Sequence, residues 1–268
     1  MESYIKKINK FICIFRYDLF SGIFMLSFIL WIFEPLFSNG HVVFSDMAFG
    51  YYSDRYMNEI FGLWNERWST STLLNIPRLI YILPLWLLSL LFGGSGPILI
   101  KGFILFLICT SAGSMYLFSK RVISLYFGKE FDFYKVFALV TGALYYALNP
   151  WVIFRIQHIY LLCGYSLFPL LLRLFFDIFD PKFQEQVIED YDLSRINPYE
   201  KNIKNIVIFT FLYSVSAGAI HYFFYGAIYF FVIGCLILTK NIFILIPDLS
   251  RVAGFIKNMF LKIGLLIT

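Results

Sequence analysis

Charge is scarce in this chain: Asp, Glu, Lys and Arg make up 15% of its 268 residues, while hydrophobic residues make up 60%. Soluble domains carry roughly 25% charged residues and 45–50% apolar ones, so a single water-exposed globule is excluded. Also missing are the strings that mark soluble chemistry. There is no HExxH, no GxxxxGK[ST], no GxSxG and no glycine-rich nucleotide loop after a strand. The glycines Gly93, Gly94 and Gly96 read as a turn rather than a nucleotide loop. Cys13, Cys109, Cys163 and Cys235 stand far apart, with no CxxC pair and no metal-ligand spacing, and read as small apolar packing residues. The net charge of +5 is scattered through short connections rather than gathered into a basic stripe, which argues against nucleic acid as a partner.

What is present is a series of apolar runs near the roughly 20 residues needed to cross a bilayer. They lie at Leu19–Phe37, Pro97–Phe118, Val136–Phe154, Ile159–Phe176 and Tyr222–Thr239, with a shorter span at Ile206–Ala217. A further run, Leu79–Phe92, is short for a span and fits a re-entrant or interfacial segment. The fold class expected is an all-α polytopic membrane protein with about six to seven transmembrane helices, folded as a single membrane domain over residues 1–268. Lys6, Lys7, Lys10 and Arg16 precede the first run, which is long, contains Glu34 and lacks a small-residue cleavage site, so it reads as an uncleaved first span.

If Leu79–Phe92 does not cross, the basic residues Lys6 to Arg16, Lys120 to Lys135 and Lys182 to Lys204 share one side with Lys240. The positive-inside rule then makes that side cytoplasmic, with residues 1–18 as a cytoplasmic N-terminus and 177–204 as a cytoplasmic loop. Residues 38–78 become a long external loop. Within it Met57, Ile60, Phe61, Trp64 and Trp68 recur at helical spacing among polar residues, the pattern of an amphipathic helix lying on the membrane surface with Trp at headgroup level. The run from Arg251 to Thr268 carries Lys257 and Lys262 and ends without a polar tail, so a longer parent chain is expected.

Polar residues on the external side are few. Asp46, in FSDMAF, is either a general base or metal holder, or an N-cap or turn aspartate. Asn149 and Pro150 close the third run, and Arg155, Gln157 and His158 follow in a short turn. Arg155 and His158 suit a phosphate, the first as a guanidinium fork and the second as donor or acid, and suit lipid headgroups equally. His221 sits at a small-residue break, SVSAGAIHYFFYG, where it either faces the same side or bonds backbone freed at a helix break. Glu34 and Lys101 either pair or snorkel separately.

The order of these features, with SDMAF after the first run, the Trp-bearing helix, and then a span ending MYLFSKR, resembles the N-terminal module of the C-type membrane glycosyltransferases, the GT-C fold. ALYYALNPWVIFRIQHIYLLCGYSLFPLLL is similar to the Asn-Pro-then-His pattern of bacterial and archaeal members related to the YfhO-like membrane proteins. The resemblance extends over roughly Phe11 to Thr239 and implies a sugar donor linked to polyprenyl phosphate, used at the external face of the cell membrane. It also implies Asp46 as the catalytic residue and Arg155, His158 and His221 as binders of donor phosphate, with a divalent metal ion as a candidate cofactor. Some family members carry an acidic pair after the third span; this chain has Arg155, Gln157 and His158 there. The alternative is a non-catalytic multi-pass protein: a structural subunit assembling with a partner membrane chain, a transporter, or an inactive fragment of a GT-C protein. A transporter needs polar groups near the membrane midplane, and these runs contain few.

Overall fold

In the computed structural model the described residues are 2–38, 64–65, 70–71, 83, 87–88, 90–91, 96–128, 130–156, 158–180, 198–216, 220–245, 254, 257–259 and 262. They are helical apart from short turns and one two-residue antiparallel ladder. The helices are α1 (Glu2–Ile32), α2 (Gly96–Phe127), α3 (Phe133–Leu148), α4 (Pro150–Arg155), α5 (Ile159–Phe179), α6 (Pro198–Ser216) and α7 (Ile220–Leu245), with a 3-10 turn at Glu34–Phe37 after α1. Among the described residues four stretches are long and apolar enough to cross a membrane: Leu99–Phe127, Phe133–Arg155, Ile159–Phe179 and Phe224–Asn241. The chain is a helical membrane protein.

Local chemistry sets the helix ends. Gly128 ends α2 in the left-handed region, φ 85°, which a residue without Cβ adopts freely. The Lys135 ammonium then donates to the Phe127 and Glu130 carbonyls at 2.9 and 2.8 Å, while Asp132 caps α3 by accepting from the Lys135 amide at 2.8 Å. These contacts fold the chain back sharply, so α2 and α3 pack antiparallel. Asn149 separates α3 from α4 in extended conformation, its side chain accepting from the Val152 amide at 3.2 Å, with Pro150 opening α4.

Cross-helix bonds define two ends of the bundle. At one end Asp18 of α1 accepts from Tyr116 and Lys120 of α2 at 2.7 and 2.6 Å. Arg121 of α2 meets Asp177 of α5 there, and Lys240 of α7 meets Asp180 just after α5 at 3.4 Å. At the other end the Lys101 ammonium donates to the Ser38 carbonyl at 2.8 Å. The segment between Ser38 and Lys101 therefore leaves and returns at one end. Glu34 is exposed, and Lys101 bonds the Ser38 carbonyl rather than the Glu34 carboxylate.

Helix α5 is the hub. One apolar cluster joins it to α1, α2 and α3 through residues such as Ile29, Ile104, Ile108, Leu139, Ala143 and Leu162. A second joins it to α6 and α7 through Leu171, Phe175, Ile206, Phe209, Phe230 and Ile237. Phe175 stacks on Phe230 at 5.0 Å between ring centroids. Small buried residues let α2 and α5 approach closely, and Ser114 donates to the Ser166 carbonyl across that seam at 2.6 Å. Cys163 belongs to the first cluster, as a packing cysteine should.

Three boundaries differ from the sequence expectation. The surface helix expected over Met57–Trp68 does not run through its C-terminal part. Trp64 and Asn65 instead pair with Ser71 and Thr70 in an antiparallel ladder, and the rest of that helix lies outside the described residues. The reason is local: the β-branched Thr70 suits a paired, extended backbone better than a helix. The loop expected at 177–204 is shorter, because α5 continues to Phe179 and α6 begins at Pro198, carrying Asp177 and Lys204 into helices. Finally, α1 stops at Ile32, where Pro35 forces the 3-10 turn within the first apolar run. In Leu79–Phe92, the described residues Leu83, Leu87, Leu88, Leu90 and Leu91 are helical and exposed.

Candidate functional site

Arg155 is the last residue of α4 and is exposed; His158 is partly buried and stands at the N-terminal boundary of α5. A tight turn joins them: the His158 amide donates to the Arg155 carbonyl at 2.8 Å, and the His158 carbonyl accepts from the Leu162 amide at 3.0 Å. The sequence builds this turn because α4, opened by Asn149 and Pro150, is only six residues long and the chain must re-enter the bundle at Ile159. A guanidinium, an imidazole and the N-terminus of a long helix share the turn. The first amides of such a helix carry partial positive charge, and together these groups suit an anion.

His221 lies in the first turn of α7; its side chain is outside the described residues, as is Asp46. The end on which His221 falls is fixed by its helix. The far part of α7 carries Lys240 to Asp180 at the Asp18 end, so the start of α7 is at the opposite end, with Lys101 and the Arg155–His158 turn. The segment containing Asp46 departs from Ser38 and returns at Lys101 on that same end. The structure thus brings the positions of Arg155, His158 and the His221 turn to one end. Among the described residues, no three His, Cys, Asp or Glu side chains come together as a metal site.

Comparison with family models, with curated proteins and with solved structures finds no match. The site is therefore read from its own residues.

Beside the turn stands a polar and aromatic group that the sequence reading passed over. Tyr146 of α3 and Tyr165 of α5 stack at 4.3 Å with 7° between ring planes, and Trp151 of α4 lies 5.1 Å from Tyr165. Asn149 donates to the Tyr146 carbonyl at 2.7 Å and to the Tyr165 hydroxyl at 2.9 Å. These contacts fix α4, and with it Arg155, against α5.

The opposite end holds a second polar group the sequence reading missed. Asp177 lies between Arg121 at 3.2 Å and Arg173 at 3.8 Å, and both Asp177 and Arg121 are buried. Lys262, also buried, donates to the Ile178 carbonyl at 2.6 Å, satisfying one of the last carbonyls of α5. Apolar windows end at the first charges, so Arg121 and Asp177 read as loop residues; in three dimensions they neutralise each other and both helices continue past them. At 32 residues, α2 is about 48 Å long, more than the roughly 30 Å hydrocarbon layer. Its charged turns therefore extend beyond that layer at the Asp18 end.

Proposed function

We propose that this chain is a GT-C-like membrane glycosyltransferase module, with about six to seven transmembrane helices, that takes a sugar from a polyprenyl-phosphate-linked donor at the external face of the cell membrane. Its N-terminus and the Asp18 end face the cytoplasm under the positive-inside rule. The observation that carries the reading is the gathering at one end of the bundle of the Arg155–His158 turn, the start of α7 with His221, and both flanks of the segment holding Asp46.

In this reading Asp46 accepts the proton of the acceptor hydroxyl as that oxygen bonds to the sugar's anomeric carbon. The bond from that carbon to the phosphate oxygen breaks, and its electron pair leaves with the phosphate. Arg155, His158 and His221 bind the donor phosphate and balance the charge it gains. The donor's lipid tail stays in the bilayer beside the exposed apolar surface of the bundle.

The test is transfer of labelled sugar from a panel of polyprenyl-phosphate sugars to membrane acceptors, comparing the protein with Asp46→Asn. Loss of transfer in a variant that still folds supports the reading. Absence of transfer by both proteins across the panel refutes it. A non-catalytic subunit is the second reading, favoured by α7: only 22% of its spanning window is buried in the bundle, and Phe224, Tyr225, Ile228 and Tyr229 are exposed along it. Such a face accommodates a helix of a partner membrane subunit as readily as lipid.

A further inference from the structure

Proline lacks an amide hydrogen, so within a helix it leaves the carbonyl four residues earlier without its donor. Two prolines of this chain stand four residues after a tyrosine: Tyr146 before Pro150, and Tyr165 before Pro169 inside α5. Pro169, inside α5, removes the donor for the Tyr165 carbonyl, while the Tyr146 carbonyl lies in the last turn of α3, which Asn149 ends in extended conformation before Pro150, and so has no helical donor either. In the structure each of those carbonyls is bonded by the other tyrosine. The Tyr146 hydroxyl donates to the Tyr165 carbonyl at 2.8 Å, and the Tyr165 hydroxyl donates to the Tyr146 carbonyl at 2.9 Å. The stacked rings hold the two hydroxyls in opposite directions, so one ring pair serves both breaks. Asn149 is a second donor to the Tyr146 carbonyl, whereas the Tyr146 hydroxyl supplies the bond to the Tyr165 carbonyl.

We infer that Tyr146 and Tyr165 are positioning residues. Their hydroxyls replace the helical donors missing at the end of α3 and at Pro169, and this exchange ties the break before α4 to the break in α5 as one joint that fixes the Arg155–His158 turn. A lipid-embedded carbonyl finds no water, so a proline in a spanning helix is tolerated where a neighbouring group supplies the missing bond. Here the supply runs both ways between α3 and α5. A displacement at either proline therefore loosens both, and α4, held between Asn149 and His158, moves with them. The inference concerns how the turn is held and stands whether or not the turn binds a donor phosphate.

The test is a double-mutant cycle read by equilibrium unfolding in detergent micelles and by hydrogen–deuterium exchange. Tyr146→Phe keeps the stacked ring and removes only the hydroxyl. It is expected to lower the folded-to-unfolded ratio by about threefold to about twentyfold, from the average to the largest interhelical hydrogen bond in membrane proteins. It should also speed exchange of the His158 amide while leaving the Phe33 amide, bonded to the Ile29 carbonyl at the end of α1, unchanged. Pro169→Ala restores an amide that can bond the Tyr165 carbonyl, so in that background Tyr146→Phe is expected to cost nothing. An equal cost of Tyr146→Phe with and without Pro169, no cost in the native background, or unchanged exchange at His158 would each overturn the inference.

Discussion

Replacing Asp177 with asparagine removes one charge from the centre of the Asp18 end and keeps the side chain's shape. Asp177 and Arg121 are only 8% and 7% exposed, with the Arg121 Nε 3.2 Å from a carboxylate oxygen. Removing one partner of a buried ion pair costs about 3–5 kcal/mol, because the remaining charge is left without its counter-charge. Arg173, 27% exposed and one helical turn away at 3.8 Å, adds only about 0.3–0.5 kcal/mol, as exposed pairs of that spacing do. Asparagine keeps an acceptor oxygen for the guanidinium, so the expected loss is about 3 kcal/mol, the low end of the buried-pair range. Reversible unfolding in mixed detergent micelles measures it. Arg121→Leu together with Asp177→Leu should recover most of the loss, since exchanging a buried pair for apolar residues is near neutral. Stability of Asp177→Asn within about 0.5 kcal/mol of the parent, half a typical hydrogen bond, would show that the pair does not hold α2 to α5.

Burial pushes the Lys262 ammonium down from 10.5 to about 8. Between those values the unfolded chain binds the proton and the folded chain does not, so stability rises with pH from about 8 to 10.5, and Lys262→Met should flatten that rise in a pH series of thermal unfolding. A Cβ added at Gly226 would stand 2.9 Å from the Tyr213 ring, so Gly226→Ala should cost about 1 kcal/mol by overpacking α7 on α6 and regain it when combined with Tyr213→Val, read as melting temperature.

Apolar run length made the helices legible, because a span needs a long stretch without charge and little else in a sequence imitates one. The six runs read as spans fall on helices, Val136–Phe154 on both α3 and α4, and among the described residues four stretches are long and apolar enough to cross. Helix ends were harder to read, since a charge stops an apolar window whether or not it has a partner elsewhere. Arg121 and Asp177 lie far apart in sequence and meet only once α2 and α5 pack. The Trp-bearing helix failed at Trp64 for a related reason: helical spacing is counted along one strand, while the ladder to Thr70–Ser71 depends on a second. In the candidate site, Asn149 and Pro150 fall at the break between α3 and α4, and Arg155 and His158 flank the later turn into α5. The tyrosine exchange was written in the spacing of Tyr165 and Pro169 and in the helix stop at Asn149 three residues after Tyr146. Reading it required knowing that α3 and α5 are neighbours.

One side of the membrane for Asp46, Arg155 and His221 is what the proposed chemistry needs first. Single cysteines at these positions, in a chain whose four native cysteines are replaced, can be labelled in sealed vesicles with a membrane-impermeant maleimide, with Asp132 as the control at the Asp18 end. Positions 46, 155 and 221 are expected to label together from one side and position 132 only from the other. Labelling of positions 46 and 155 from opposite sides would contradict the reading and leave Asp46 without a shared site.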